Sequence, residues 1–273
     1  MTNVIYALVV LGVMGAAFGL ALAVASKVFA VEVDPREEAI SGVLPGANCG
    51  GCGFPGCGGY AAAVVAGTAP VNKCAAGGAD VAAQIASIMG VEAGSSERMV
   101  AQVMCSGGNS NAVKKYQYSG VTDCAAANLL NGKGDNACAF ACLGLGSCVK
   151  VCAFDAIHVI NGSAVVDHEE CVGCMSCASV CPKHIIAEVP YAAQVTVPCS
   201  SKDKGAATRK ACAVGCIGCK LCERSCESDA IHVVDNIATI DYAKCTNCGA
   251  CAEKCPRKII VNNGKVVVEQ AAG

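Results

Sequence analysis

The sequence predicts an α+β chain: one apolar helix at the N-terminus, followed by small units of short helices and hairpins built around cysteine. Three observations predict it. Of 273 residues, 24 are cysteine. Residues 4–25 run without a charge. From Cys138 onward the chain repeats itself at an offset of 74 residues. Large side chains are scarce, with aromatics at 4% and no Trp, so burial alone would struggle to hold such a fold and a covalent or metallic staple is expected. Lys and Arg total 20 against 22 Asp and Glu, a balance that argues against a nucleic-acid binder.

The first element is VIYALVVLGVMGAAFGLALAVA, residues 4–25, long enough at 1.5 Å per residue to cross a hydrocarbon core of about 30 Å. It reads as a transmembrane helix over 1–26. A cleaved signal peptide is the alternative, opposed by the length of the run, the absence of Lys or Arg before it, and Lys27 and Arg36 after it. The positive-inside tendency puts the N-terminus outside and the cysteines in the cytoplasm. In that reducing compartment metal ligation is the natural use of thiolates.

The duplication carries the chemistry. Cys138, Cys142, Cys148, Cys152, Cys171, Cys174, Cys177 and Cys181 map in order onto Cys212, Cys216, Cys222, Cys226, Cys245, Cys248, Cys251 and Cys255. Asp155-Ala156-Ile157-His158 answers Asp229-Ala230-Ile231-His232. Cys171 to Pro182 and Cys245 to Pro256 are both C-x2-C-x2-C-x3-C-P runs, and Cys216, Cys219, Cys222 and Cys226 keep that spacing without the proline. Three closely spaced thiolates wrap one cubane while the fourth points away to a neighbouring cluster. Structural zinc would instead use two separated pairs. Strands at 158–160 and 165–166 flank Asn161-Gly162, and strands at 259–261 and 266–268 flank Asn262-Asn263-Gly264, both readable as hairpins.

Each unit resembles a bacterial two-cluster ferredoxin. Crossed ligation then assigns Cys216, Cys219, Cys222 and Cys255 to one cluster and Cys245, Cys248, Cys251 and Cys226 to another. In the first unit Cys171, Cys174, Cys177 and Cys152 make a cluster, but Leu145 stands where the repeat expects a cysteine, leaving Cys142, Cys148 and Cys181 one ligand short. Either that cluster is [3Fe-4S], or Cys138 or Cys124 substitutes; Cys138, nearer in sequence, is preferred. Upstream, Cys49, Cys52, Cys57 and Cys74 lie in LPGANCGGCGFPGC and its continuation, where glycines let a loop fold tightly around a further cluster, a zinc site being the alternative. A short helix is expected at 60–65, and another at 80–89, capped by Asp80 and stopped by Gly90. With Cys138 used, Cys105, Cys124, Cys199 and Cys212 remain, either ligands of a sixth cluster or reduced thiols. VMCS at 103–106 and VPCS at 197–200 extend the duplication, with about 20 residues inserted in the first copy.

The span, the first cysteine motif and the tandem units together closely resemble the B subunit of the Rnf complex, in its longer clostridial or acetogen form. The resemblance implies a fold of one transmembrane helix, a small N-terminal [4Fe-4S] domain and two tandem ferredoxin-like units, with about five [4Fe-4S] clusters and a sixth left open. It implies soluble ferredoxin as electron donor, flavin-bearing membrane subunits and an NAD-reducing subunit as partners, and coupling to Na+ or H+ translocation. The expected organisation is a juxtamembrane linker over 27–44, the N-terminal cluster domain over 45–100, a connector over 101–137, the first unit over 138–190, a basic linker over 191–211 and the second unit over 212–273. No G-x-G-x-x-G follows a strand, so no nicotinamide site is expected. The four histidines read as structural. Lys202, Lys204, Arg209 and Lys210, with Lys114 and Lys115 as a smaller echo, would steer an acidic ferredoxin, although a solvated loop explains them too. An iron-sulfur subunit of another membrane reductase shares the ferredoxin units but not the first motif. A corrinoid methyl-transfer protein would need an α/β domain for which there is no length. Because an oxidised cubane with its thiolates carries about −2, five clusters would shift the formal charge of −2 to about −12.

Overall fold

The computed structural model describes residues 2–28, 34–94, 97–130 and 132–262. Helix α1 (Thr2–Val28) contains the expected span, and its apolar side chains, Leu11, Phe18, Leu20 and Leu22 among them, are exposed along its length. An uncovered apolar cylinder of this length suits a lipid environment, where the helix satisfies its own backbone hydrogen bonds.

Three helices then form the N-terminal unit: α2 (Pro35–Val43), α3 (Gly56–Val65) and α4 (Gly78–Met89). Asp34 caps α2 by accepting the Arg36 N–H at 2.9 Å, and Pro35 suits the first turn because the missing donor there would be unpaired anyway. Ile40 of α2 and Leu44, just past its C-terminus, pack into a core with Tyr60, Val64 and Ile85, and Ile40 is 0% exposed. The expectation of a linker over 27–44 therefore fails for 35–44. One buried residue inside the nine-residue helix and one at its C-terminal cap dock it on the core. The expected helices at 60–65 and 80–89 are present as α3 and α4, and Gly90 ends α4 in the left-handed conformation at φ 67°. Asp80 lies inside the first turn of α4 and does not cap it; Gly77 holds that position.

The first ferredoxin-like unit comprises β1 (Met99–Val103), the short helices α5 (Gly108–Asn111), α6 (Cys124–Leu129) and α7 (Ser147–Lys150), the hairpin β2 (Ile157–Ile160) and β3 (Ser163–Val166), α8 (Ser176–Ser179) and β4 (Ile186–Pro190). β1 pairs antiparallel with β4, from Met99 opposite Pro190 to Val103 opposite Ile186. The boundary expected at 100/101 thus cuts through a strand of this unit. The second unit repeats the plan with β5 (Val195–Thr196), α9 (Gly205–Ala211), α10 (Leu221–Arg224), the hairpin β6 (Ile231–Val234) and β7 (Ile237–Ile240), α11 (Ala250–Glu253) and β8 (Val261–Asn262). β5 pairs with β8, and Val195 and Val197 are buried, so 191–211 is structural and not a linker. Val261 pairs with Thr196, and the second arm expected for the hairpin after Ile259, residues 266–268, lies outside the described residues. The hairpin at 157–166 is as expected, with Asn161 and Gly162 both at positive φ, as a two-residue turn matching strand twist requires.

Each unit has a small core. Val100, Ile157, Val166, Ile185 and Val189 fill the first, Val195, Val197, Ile231, Ile259 and Ile260 the second, and cysteines line both.

Candidate metal centres

In all four ferredoxin-type runs the residue two before the third ligand position is left-handed, and a one-turn helix follows: Gly146 before Cys148, Met175 before Cys177, Lys220 before Cys222 and Gly249 before Cys251. The reversal curls each run so that its first three positions face one volume. For Met175 and Lys220 this backbone costs about 1 kcal/mol or more, and the surroundings must hold it in place.

The second unit shows the cage at its simplest. Cys216, Cys219, Cys222 and Cys255 line one pocket with Ile217, Val233, Ala238, Pro256, Ile259 and Ile260. Burial pushes the Cys222 thiol up to about 11, and Cys216, Cys219 and Cys255 raise it further. Burial likewise raises Cys251, with Cys226 and Cys245 beside it. Crossed ligation is what these neighbourhoods fit. Such thiols bind as thiolates only when a cation offsets the cost of burying charge.

The first unit has the same pocket 74 residues earlier: Cys142, Leu143, Cys148, Val159, Ala164, Cys181, Pro182, Ile185 and Ile186, with Cys124 in addition. Burial pushes the Cys148 thiol up to about 12, with Cys142, Cys124, Cys177 and Cys181 adding to the rise. Cys124 is delivered by local chemistry. Asp123 accepts the Ala126 N–H at 2.8 Å and so caps α6, and it accepts the Ser147 hydroxyl at 3.0 Å. Ser147 Oγ in turn accepts the Cys124 N–H at 2.8 Å. The geometry departs from the preference for Cys138 in place of Leu145: Cys138 lines a different pocket, whereas Cys124, the other candidate, lines the one that holds Cys142, Cys148 and Cys181. Leu145 packs on the small cluster of Cys124, Ala127 and Leu143. The signal that would have found Cys124 is the coincidence of one missing cysteine with one inserted cysteine.

The other quartet of this unit gathers as expected. Burial pushes Cys177 up to about 11, with neighbouring Cys171, Cys174 and Cys152 adding to the rise. Arg98, unremarked in the sequence, donates to the carbonyls of His168, Glu169 and Cys171 and stacks 4.0 Å from the Tyr191 ring centre, which fixes the start of the run. Backbone N–H groups point at sulfur in equivalent places, Ala156 to Cys152 at 3.4 Å and Ala230 to Cys226 at 3.3 Å. Hydrogen bonds of this kind set cluster potentials.

In the N-terminal unit, burial raises the Cys74 thiol and Cys57, Cys49 and Cys52 add to it. Asn48 Oδ1 accepts the Cys57 N–H at 2.8 Å, closing the loop on α3. This loop sits on the first ferredoxin-like unit. Ser176 donates to the Cys49 carbonyl at 3.0 Å, and a Cβ on Gly51 would fall 2.9 Å from Cys174 Cα. Only glycine permits so close an approach of two cysteine loops.

Comparison with known proteins agrees with this layout. A model described as a putative Fe-S cluster matches residues 44–76, a 4Fe-4S binding domain matches 164–187, and a 4Fe-4S dicluster domain matches 215–259. The chain is 46% identical to the B subunit of the Na(+)-translocating ferredoxin:NAD(+) oxidoreductase complex of Acetobacterium woodii, over 92% of this chain and 75% of that protein. It is 47% identical to the B subunit of the proton-translocating ferredoxin:NAD(+) oxidoreductase complex of Clostridium ljungdahlii, over 94% of this chain and 91% of that protein. The chain belongs to the family of Rnf complex B subunits. A third member, the B subunit of the ion-translocating oxidoreductase complex of Methanosarcina acetivorans, is 43% identical over 94% of this chain and 97% of its own length. Membership of the Rnf family accounts for the apolar N-terminal helix as a membrane anchor, for [4Fe-4S] clusters as cofactors and for assembly into a multi-subunit complex.

Proposed function

We propose that this chain is the electron-relay subunit of a membrane-bound ferredoxin:NAD+ oxidoreductase that couples electron flow to Na+ or H+ translocation. It takes electrons from reduced soluble ferredoxin and passes them toward flavin-bearing membrane subunits, while a separate subunit reduces NAD+. The observation that carries this reading is the succession of thiol quartets, beginning in the unit that follows the membrane helix, where the Cys49 loop packs on Cys174. The ligand sets are Cys49, Cys52, Cys57 and Cys74; Cys152, Cys171, Cys174 and Cys177; Cys124, Cys142, Cys148 and Cys181; Cys216, Cys219, Cys222 and Cys255; and Cys226, Cys245, Cys248 and Cys251. A [4Fe-4S] cluster supplies one-electron exchange between two charge states without making or breaking a bond to the protein. The chain's residues orient the thiolates, exclude water with the small apolar cores, and donate N–H groups to sulfur. The N-terminus lies outside and the cluster units are cytoplasmic, by the placement of Lys27 and Arg36.

Two basic segments support the docking of an acidic ferredoxin. Lys114 and Lys115 follow a segment joined to the end of α9, which carries Arg209 and Lys210: Val113 N–H donates to the Ala211 carbonyl at 2.9 Å. All four cations are exposed. Replacing Lys202, Lys204, Arg209 and Lys210 by Glu should slow reduction by ferredoxin at low salt, with the deficit shrinking as salt rises; an unchanged low-salt rate removes the docking site. Anaerobic iron and sulfide analysis tests the relay as a whole, since five cubanes hold about 20 irons and a content below about 16 breaks the reading.

A further inference from the structure

The five quartets leave Cys105, Cys138, Cys199 and Cys212 without a role. Two come from each repeat: Cys138 and Cys212 are equivalent at the 74-residue offset, and Cys105 and Cys199 lie in the matching segments VMCS and VPCS. All four line one pocket. We infer that these four thiols hold a sixth [4Fe-4S] cluster, ligated half by each repeat, that joins the two ferredoxin-like units into one continuous row. The inference rests on the relay reading above and extends it to a site that no cysteine run announces.

Backbone pairing between the repeats assembles the site. Ser106 N–H donates to the Pro198 carbonyl at 3.0 Å, which sets Cys105 beside Cys199. Residues 111–113 run antiparallel to 211–213, with Val113 N–H on the Ala211 carbonyl at 2.9 Å and Ala213 N–H on the Asn111 carbonyl at 2.7 Å. Ala137 N–H closes on the Val113 carbonyl at 2.7 Å, so the same strand holds the segments that carry Cys138 and Cys212. The side chains report the same grouping. Burial raises the Cys105 thiol, with neighbouring Cys138 and Cys212 adding to the rise, and it raises Cys138, with Cys212 beside it. Cys199 is pushed up to about 11 by burial, with Cys216 and Cys105 adding to the rise.

Two further features fit a negatively charged cluster. Arg257 donates to the Cys212 carbonyl at 2.8 Å, and Lys183, its equivalent in the first repeat, donates to the Ala139 carbonyl at 2.8 Å. Each cation thus braces a loop carrying one of the four thiols and offsets charge there. The walls are also shared with both neighbours. Cys142 N–H donates to Cys105 Sγ at 3.3 Å and Cys216 N–H donates to Cys199 Sγ at 3.4 Å, so a ligand of the adjacent quartet in each unit touches a sulfur of this one. With this site filled, every one of the 24 cysteines is a ligand, in six groups of four.

The full chain, reconstituted anaerobically, should hold about 24 irons and as many sulfides, since each cubane carries four of each. A wild-type content that saturates near 20 overturns the sixth site and leaves the relay reading intact, whereas one below about 16 removes both. The variant carrying Cys138→Ser and Cys212→Ser should lose about four irons while the electron paramagnetic resonance signals of the five other clusters persist. Wild-type iron in that variant also overturns the inference. Should it fail to fold, the wild-type count decides alone.

Discussion

In the second ferredoxin-like unit the first quartet is supplied by the paired runs alone: Cys216, Cys219 and Cys222 are evenly spaced, and Cys255 crosses over from the other run. In the first unit Leu145 stands at the position of Cys219, and Cys124 arrives from an insertion with no counterpart in the repeat. Apart from that ligand the two pockets match closely at the 74-residue offset, including Val159 with Val233, Ala164 with Ala238 and Pro182 with Pro256. What is maintained is the shell, because the apolar walls and the left-handed reversal in each run position the remaining thiols. The fourth ligand can come from any segment able to reach the pocket, provided something holds it there. The Asp123, Ser147 and Lys150 contacts supply that hold, Lys150 donating to the Thr122 carbonyl at 2.8 Å.

The largest expected effect follows from removing the imported ligand. Cys124→Ala should abolish the four-iron signal of the Cys142, Cys148 and Cys181 site in anaerobic electron paramagnetic resonance. Returning the ligand to its place in the repeat, with Leu145→Cys on that background, should restore it. Survival of the signal in Cys124→Ala would contradict the assignment.

A smaller effect is expected from the support. Asp123→Ala removes the cap of α6 and its bond from Ser147, a loss of about 1 kcal/mol for the cap. A chelator should then strip iron from the first unit faster than from the second. Equal rates would mean that Cys124 is held by packing alone.

The smallest effect separates the second quartets. Ser228 Oγ lies 3.5 Å from Cys226 Sγ and holds that thiol below its ordinary range, whereas Phe154 occupies the equivalent position beside Cys152. A donor on sulfur favours the more negative, reduced cluster. Ser228→Ala should therefore lower the potential of the Cys226 site in a redox titration without changing the iron content.

Much of this was legible in the residues. The run spacings, the offset of 74, the uncharged stretch of 22 positions and the Asn161-Gly162 turn are local patterns, and local geometry decides them. The boundaries were less legible. Ile40 marks α2 as part of a core only because Tyr60, Val64 and Ile85 face it, and Val261 pairs with Thr196 across a separation that no turn signal spans.

Chain proximity misled at Cys138, which is four residues from Cys142 yet faces another pocket, while Cys124 lies farther along the chain and closer in space to the site. By itself the sequence determined the membrane helix, the kind of cluster and the two-fold repetition, because spacing along a run restricts which thiols can share a cubane. The tertiary structure alone decided which thiols meet across segments. Cys124 reaches its pocket through a capped helix, and Cys105, Cys138, Cys199 and Cys212 meet through strand pairing between the repeats, contacts whose partners are set by folding and not by distance along the chain.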